Sequence, residues 1–176
     1  MKKLILSTML TAAFVLPALL ADGDALASVA VHPDCVDHPN PVACTQIVQE
    51  LSAEMIDYVQ DYIDGDIDAM ASYFANPGAV TGIFGEFYRG YASYRDDALV
   101  PLYDGPVASS VFDLSGVRYQ VVSSDLIVMY GPASVTFVYK DGSTSTFPER
   151  VMMVWTRSHG DPQKPFVAVA GMYEML

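Results

Sequence analysis

The sequence predicts an α+β protein, with helices in the first part of the chain and an antiparallel sheet in the rest. Three observations carry this. Val48, Leu51, Met55, Tyr58 and Tyr62 recur at three- and four-residue steps, the stripe of one amphipathic helix. Two further segments begin at the glycine-marked points Gly65-Asp66 and Gly90-Tyr91. From Ser110 onward, short runs of β-branched and aromatic residues alternate with Ser, Gly, Asp and Pro turn signals.

The chain opens with Lys2 and Lys3. Leu4 to Leu20 is apolar apart from Ser7, Thr8 and Thr11, and Ala25-Leu26-Ala27 supplies a small-x-small site. That is the pattern of a secretory signal, cut after Ala27, with Ser28-Val29-Ala30 as the second choice. An uncleaved anchor is the alternative, and the apolar run is marginal against the ~20 residues that span a bilayer. Residues 1–27 are therefore read as a cleaved signal peptide, 28–40 as an N-terminal segment and 41–176 as one domain. The expected location is outside the cytoplasm, periplasmic or secreted, with no membrane attachment after cleavage. The formal net charge of −12 argues against nucleic acid or an anionic membrane as a partner, since like charge repels both.

Cys35 and Cys44 make an even cysteine count. In an exported chain this suggests a disulfide, worth roughly 2.5–3 kcal/mol for so short a ring. It would pin the N-terminal segment to the first turn of helix 1. His32, Cys35, His38 and Cys44 also form His-x2-Cys-x2-His-x5-Cys, soft metal-ligand types at a spacing that matches no standard zinc pattern. Free thiols are the third option.

Asn40-Pro41 reads as an N-cap with proline at the first helical position, and Gly65 as the residue that ends helix 1. Glu50, Glu54, Asp57, Asp61 and Asp64 fall largely off the apolar stripe. Asp66 caps a second helix carrying Ile67, Met70, Tyr73 and Phe74, stopped by Asn76-Pro77-Gly78. The aspartates 61, 64, 66 and 68 lack the glycine and distal glutamate of a calcium loop, so capping and solvation explain them better. Val80 to Phe84 is the first strand, Glu86 to Arg89 a turn and short strand, and Tyr91 to Leu102 a third helix. Ser110–Leu114 and Val117–Val122 are strand runs that join through a bulge at Ser115-Gly116. Leu126–Tyr130 and Ser134–Tyr139 merge likewise. Lys140-Asp141-Gly142-Ser143 is a hairpin turn, Phe147–Arg157 a long strand, His159–Pro162 a turn and Phe166–Met172 the last strand.

The order and spacing of these motifs resemble the SnoaL-like and ketosteroid-isomerase-like domains of the NTF2-like superfamily. The resemblance rests on Gly65 to Phe74, Ala79 to Phe84, Tyr88 to Tyr91, Ser124 to Val128 and Glu149 to Arg157, and covers about residues 43–174. It implies a cone: three N-terminal helices packed on a strongly curved, mostly antiparallel sheet, with a pocket between them. It also implies a homodimer formed through the sheet.

Strand alternation places Glu149, Val151, Met153, Trp155 and Arg157 on one face of the long strand, and the bulk of Trp155 marks it as the inner one. The expected ligand-binding residues are Tyr58, Tyr62, Tyr73, Phe74, Tyr88, Met153, Trp155 and Met172, an aromatic lining suited to a small apolar or aromatic molecule. Simple core packing is the competing role for each. The resemblance implies a pocket carboxylate as general base with a tyrosine as oxyanion donor, and Glu149 is the candidate catalytic residue. A structural ion pair with Arg89, Arg118 or Arg157 is its alternative. The sequence departs from the family in lacking a histidine on the last strand, where Phe166 to Met172 carries no ionisable group. No nucleophile elbow, phosphate loop or dinucleotide fingerprint occurs, and neither a cofactor nor a metal is expected. Three functions follow: a binding domain for a small molecule, an isomerase-, cyclase- or dehydratase-type enzyme, and a non-catalytic dimeric assembly module.

Overall fold

A computed structural model describes residues 30–82, 85–158 and 165–176. The signal segment 1–27, the strand end at Ile83 and Phe84, and the turn at 159–162 lie outside the described residues. Among the described residues, no helix is long and apolar enough to cross a membrane.

Helix α1 (Pro41–Asp64) starts and stops where its punctuation dictates. The Asn40 side chain accepts from the Ala43 N–H, Pro41 fills the first turn, and Gly65 closes the helix in the left-handed region at φ 72°. Val48, Leu51, Met55, Tyr58 and Tyr62 are all buried, as the stripe requires. Glu54 departs from expectation. It is buried too, and its Oε2 accepts the Phe166 N–H at 2.9 Å, tying α1 to the start of the last strand.

Helix α2 (Ile67–Ser72) is capped by Asp66, whose side chain accepts from Ala69. It ends earlier than the sequence suggests. Phe74 already pairs with Ala168 in strand β1 (Phe74–Thr81), and Asn76-Pro77-Gly78 lies inside that strand. Proline excludes continued helix on its N-terminal side, and the chain satisfies its backbone by pairing instead. Strand β2 (Phe87–Arg89) follows. The third helical segment is continuous but not uniform. It runs as α3 (Gly90–Ser93), a π-helical stretch (Tyr94–Leu99) and α4 (Val100–Asp104). Pro101, near the start of α4, has no N–H to donate backward, so the ladder there is broken and a widened turn is tolerated.

Strands β3 (Val107–Asp113), β4 (Arg118–Ser123), β5 (Leu126–Tyr139), β6 (Thr144–Arg157) and β7 (Phe166–Met175) complete the molecule. The seven-stranded sheet has the order β2-β1-β7-β6-β5-β3, with β4 also on β5. All pairs are antiparallel except β1 with β7. β3 and β4 lie along the two halves of β5, the arrangement expected of one strand interrupted at Ser115-Gly116. The approach of that interruption to β5 depends on glycine: a Cβ on Gly131 (φ 144°) would lie 2.7 Å from the Gly116 carbonyl oxygen.

The core fills the space between α1 and the inner sheet face. Val151, Met153 and Trp155 of β6 are buried in it, while Arg150 and Met152 on the other face are exposed. Cys35 and Cys44 are bonded to each other. With Asp34 accepting from the Tyr119 N–H and from Arg118, the bond fastens the N-terminal segment to both α1 and β4. The acidic run is used locally: Asp66 as cap, Asp64 as acceptor for Gln60, and Asp68 as partner of Arg95.

Candidate functional site

A cavity of about 310 Å³ opens between the irregular third helical segment and the sheet. Its wall is assembled from separate elements. Tyr62 comes from α1; Tyr94, Asp97, Ala98 and Leu99 come from the π-helical stretch; Pro101 and Leu102 come from α4. Phe112 and Ser110 of β3, Val135 and Phe137 of β5 and Tyr173 of β7 form the sheet side. Gly82, Glu86 and Tyr88 close it from the β1–β2 end. Most of this wall is apolar, with few polar groups, the composition suited to a small organic ligand. The exposed members Glu86, Asp97, Pro101 and Pro106 mark the mouth, and the buried Tyr62, Tyr94, Ser110 and Tyr173 mark the interior.

Four tyrosine hydroxyls form a chain beneath and along the wall. Tyr173 and Tyr58 are 2.9 Å apart, Tyr58 donates to Tyr62 at 3.2 Å, and Tyr62 and Tyr94 are 2.8 Å apart. A hydroxyl has one proton to give. In the Tyr173–Tyr58 and Tyr62–Tyr94 contacts either hydroxyl can be the donor. Tyr173 also donates toward the Met153 Sδ at 3.4 Å, so four bonds run along the four hydroxyls, and the chain ends at Tyr94 in the cavity wall. Burial holds Tyr62, Tyr94 and Tyr173 well above the ordinary tyrosine range. Tyr58 is pushed up to about 12, chiefly by burial, with its bonds to Tyr173 and Tyr62 pulling the other way. All four therefore stay neutral donors at physiological pH. A second hydroxyl pair, Tyr103 donating to Ser110 at 2.7 Å, lies in the same wall.

Glu149 is completely buried, and neither carboxylate oxygen has a hydrogen-bond partner among the described residues. Burial alone pushes its carboxyl up to about 7. The three arginines proposed for it are engaged elsewhere: Arg118 with Asp34, Arg157 with Glu50 and Asp125, and Arg89 over the Phe87 ring. The expected ion pair is thus absent. Nor does Glu149 line the cavity. It sits opposite Ala133 and Met175 in the sheet, one step along from Val135 and Tyr173, which do line it.

Of the eight expected ligand-binding residues, Tyr62 and Tyr88 line the cavity and Tyr58 supports its hydroxyl chain. Tyr73, Phe74, Met153 and Trp155 are buried in the core and do not line the cavity. Trp155 meets the Tyr58 ring edge-on at 6.3 Å, and Phe74 meets Tyr94 at 4.7 Å. Met172 lies on the outer face, 41% exposed. The cause is a register shift. β6 pairs Trp155 with Ala168 but Val154 with Ala170, so Val169 bulges and the alternation of β7 reverses beyond it. Tyr173, not Met172, turns inward. Sequence reasoning also missed Tyr94, which shares a helical stripe with Ala98 and Leu102, and Phe112, Val135 and Phe137, which alternate inward on strands already recognised.

No family model and no curated protein matches this chain. Solved structures do. An NTF2-like superfamily protein from Salmonella enterica superposes with a TM-score of 0.61 at 16% identity, over 74% of this chain and 91% of that one. Aln2 from Streptomyces gives 0.62 at 14% identity, over 78% and 93%. A type 2 hexachlorocyclohexane dehydrochlorinase (LinA) gives 0.54 at 14% identity, over 74% and 88%. A likeness at such identities is one of architecture: the chain has the fold of the NTF2-like superfamily.

Proposed function

We propose that this protein is an exported NTF2-like domain that binds a small apolar or aromatic molecule in the cavity. The observation that carries the reading is the Tyr94 hydroxyl, at the end of a buried hydroxyl chain on a mostly apolar wall. Such a wall desolvates a ring, and such a hydroxyl orients one oxygen on it. Export is supported by the N-terminal pattern and by the Cys35–Cys44 bond, which suits an oxidising compartment. A neutral phenol, 4-(2-hydroxyethyl)phenol, is a suitable probe. Calorimetry is expected to give saturable one-to-one binding, and Leu102→Trp, which fills the cavity, is expected to remove it. Equal affinity in that variant would reject the reading.

One observation favours a catalytic alternative. Glu149 has a carboxyl tuned to about 7 beside Tyr173, which suits an isomerase-, cyclase- or dehydratase-type enzyme with that carboxylate as base. Its separation from the cavity wall makes binding without turnover the better-supported reading. The outer sheet face carries the cross-strand row Tyr130, Met152 and Met172, all exposed, which supports a homodimer through that face. Light scattering is expected to give twice the monomer mass, and a monomer at working concentrations would oppose it.

A further inference from the structure

The cavity is chemically lopsided. Its only charged lining residues among those described are the carboxylates Glu86 and Asp97, and no Lys, Arg or His lines it. Both lie at the mouth and both act on the same group: each raises the pKa of the Tyr88 hydroxyl, after burial itself. Neither forms an ion pair among the described residues. Asp97 accepts only the neutral Ser93 hydroxyl, at 3.0 Å. Aromatic faces stand directly inside them, with the Tyr88 and Tyr94 rings edge to face at 5.8 Å. The interior is the opposite: neutral hydroxyls on apolar walls.

From these two ends we infer that the cavity selects an arylalkylamine, with its aromatic body inside and its ammonium group at the mouth between Glu86 and Asp97. This rests on the cavity being a ligand site. The physical case is direct. A cation at the mouth meets two carboxylates and the faces of electron-rich rings, and both attract it. An anion there meets only repulsion, and a neutral group gains neither. A phenolic hydroxyl at the far end of the same ligand, able to donate or accept, hydrogen-bonds the Tyr94 hydroxyl. Selection by charge at the rim and by hydrogen bonding in the interior is how one site rejects near-isosteres.

Three probes of nearly equal shape separate the terms: 4-(2-aminoethyl)phenol, 4-(2-hydroxyethyl)phenol and 4-hydroxyphenylacetate. Calorimetric titration of the wild-type protein at low salt is expected to show the amine binding about tenfold tighter than the alcohol, equivalent to about 1.4 kcal/mol, with the acid weakest. The preference is expected to shrink as salt screens the exposed carboxylates. Glu86→Gln/Asp97→Asn is expected to bring amine and alcohol to equal affinity. The control Asp37→Asn/Glu174→Gln removes the same charge from exposed positions off the cavity and is expected to keep the preference. If the alcohol binds and the amine binds no tighter, the amine assignment is wrong and the cavity reading stands. If the preference survives loss of Glu86 and Asp97, the assignment is equally wrong. If none of the three binds, both fail together.

Discussion

The Tyr62 and Tyr94 hydroxyls meet at 2.8 Å, one reaching from the regular helix α1 and the other from a π-helical turn. That contact joins the buried hydroxyl chain to the open cavity. Tyr94→Phe would remove the hydroxyl that bonds Tyr62 and the one offered to a ligand. It is expected to lower stability by about 1 kcal/mol and to weaken 4-(2-hydroxyethyl)phenol roughly two- to tenfold. Urea unfolding and calorimetry on one variant measure both. Unchanged phenol affinity would mean that the ligand oxygen goes elsewhere.

Glu149 gives stability a pH dependence of definite sign. Its folded-state carboxyl lies at about 7, above the ordinary 4.5 of the unfolded chain. Between those values the folded protein keeps a proton that the unfolded chain has released, so stability falls as pH rises. The stabilisation is full below about 4.5 and gone once pH has passed about 7, a difference on the order of 3 kcal/mol. Glu149→Gln is expected to flatten this part of the pH profile, measured as unfolding free energy from pH 4.5 to 8. The same variant tests catalysis: an enzyme using this base loses turnover while its fold persists.

The Cys35–Cys44 bond holds the N-terminal segment against α1 and β4. Replacing both cysteines by serine is expected to lower stability by about 2–3 kcal/mol. Hydrogen exchange is expected to show the Tyr119 amide, bonded to Asp34, losing protection before the strands beyond it.

Gly131 stands where β3 gives way to β4 along β5. Gly131→Ala would force a Cβ to 2.7 Å from the Gly116 carbonyl oxygen at a φ of 144°. A loss of about 2 kcal/mol or more is expected on unfolding. A neutral result would show that the backbone near Gly116 yields to the added methyl without cost.

Much of this architecture is legible in sequence because local signals and packing agree. Asn40-Pro41 and Gly65 bracket α1 to the residue, and the stripe from Val48 to Tyr62 is the buried face. The hairpin at Asp141-Gly142 and the inward face of β6, with Trp155, follow equally from turn chemistry and alternation. The site was harder to read where regular periods break. The bulge at Val169 exchanged Met172 for Tyr173. Glu149 was legible as an inward carboxyl. Its lack of a partner was not, because that depends on Arg118 and Arg157 finding acids far away in the chain.

The most direct test of the central claim is a crystal structure of the protein grown with 4-(2-hydroxyethyl)phenol. The account predicts the ring between Phe112, Phe137 and Leu102, with the phenolic oxygen within hydrogen-bond reach of the Tyr94 hydroxyl. A cavity filled by its own side chains, or the phenol bound only outside it, would contradict the account.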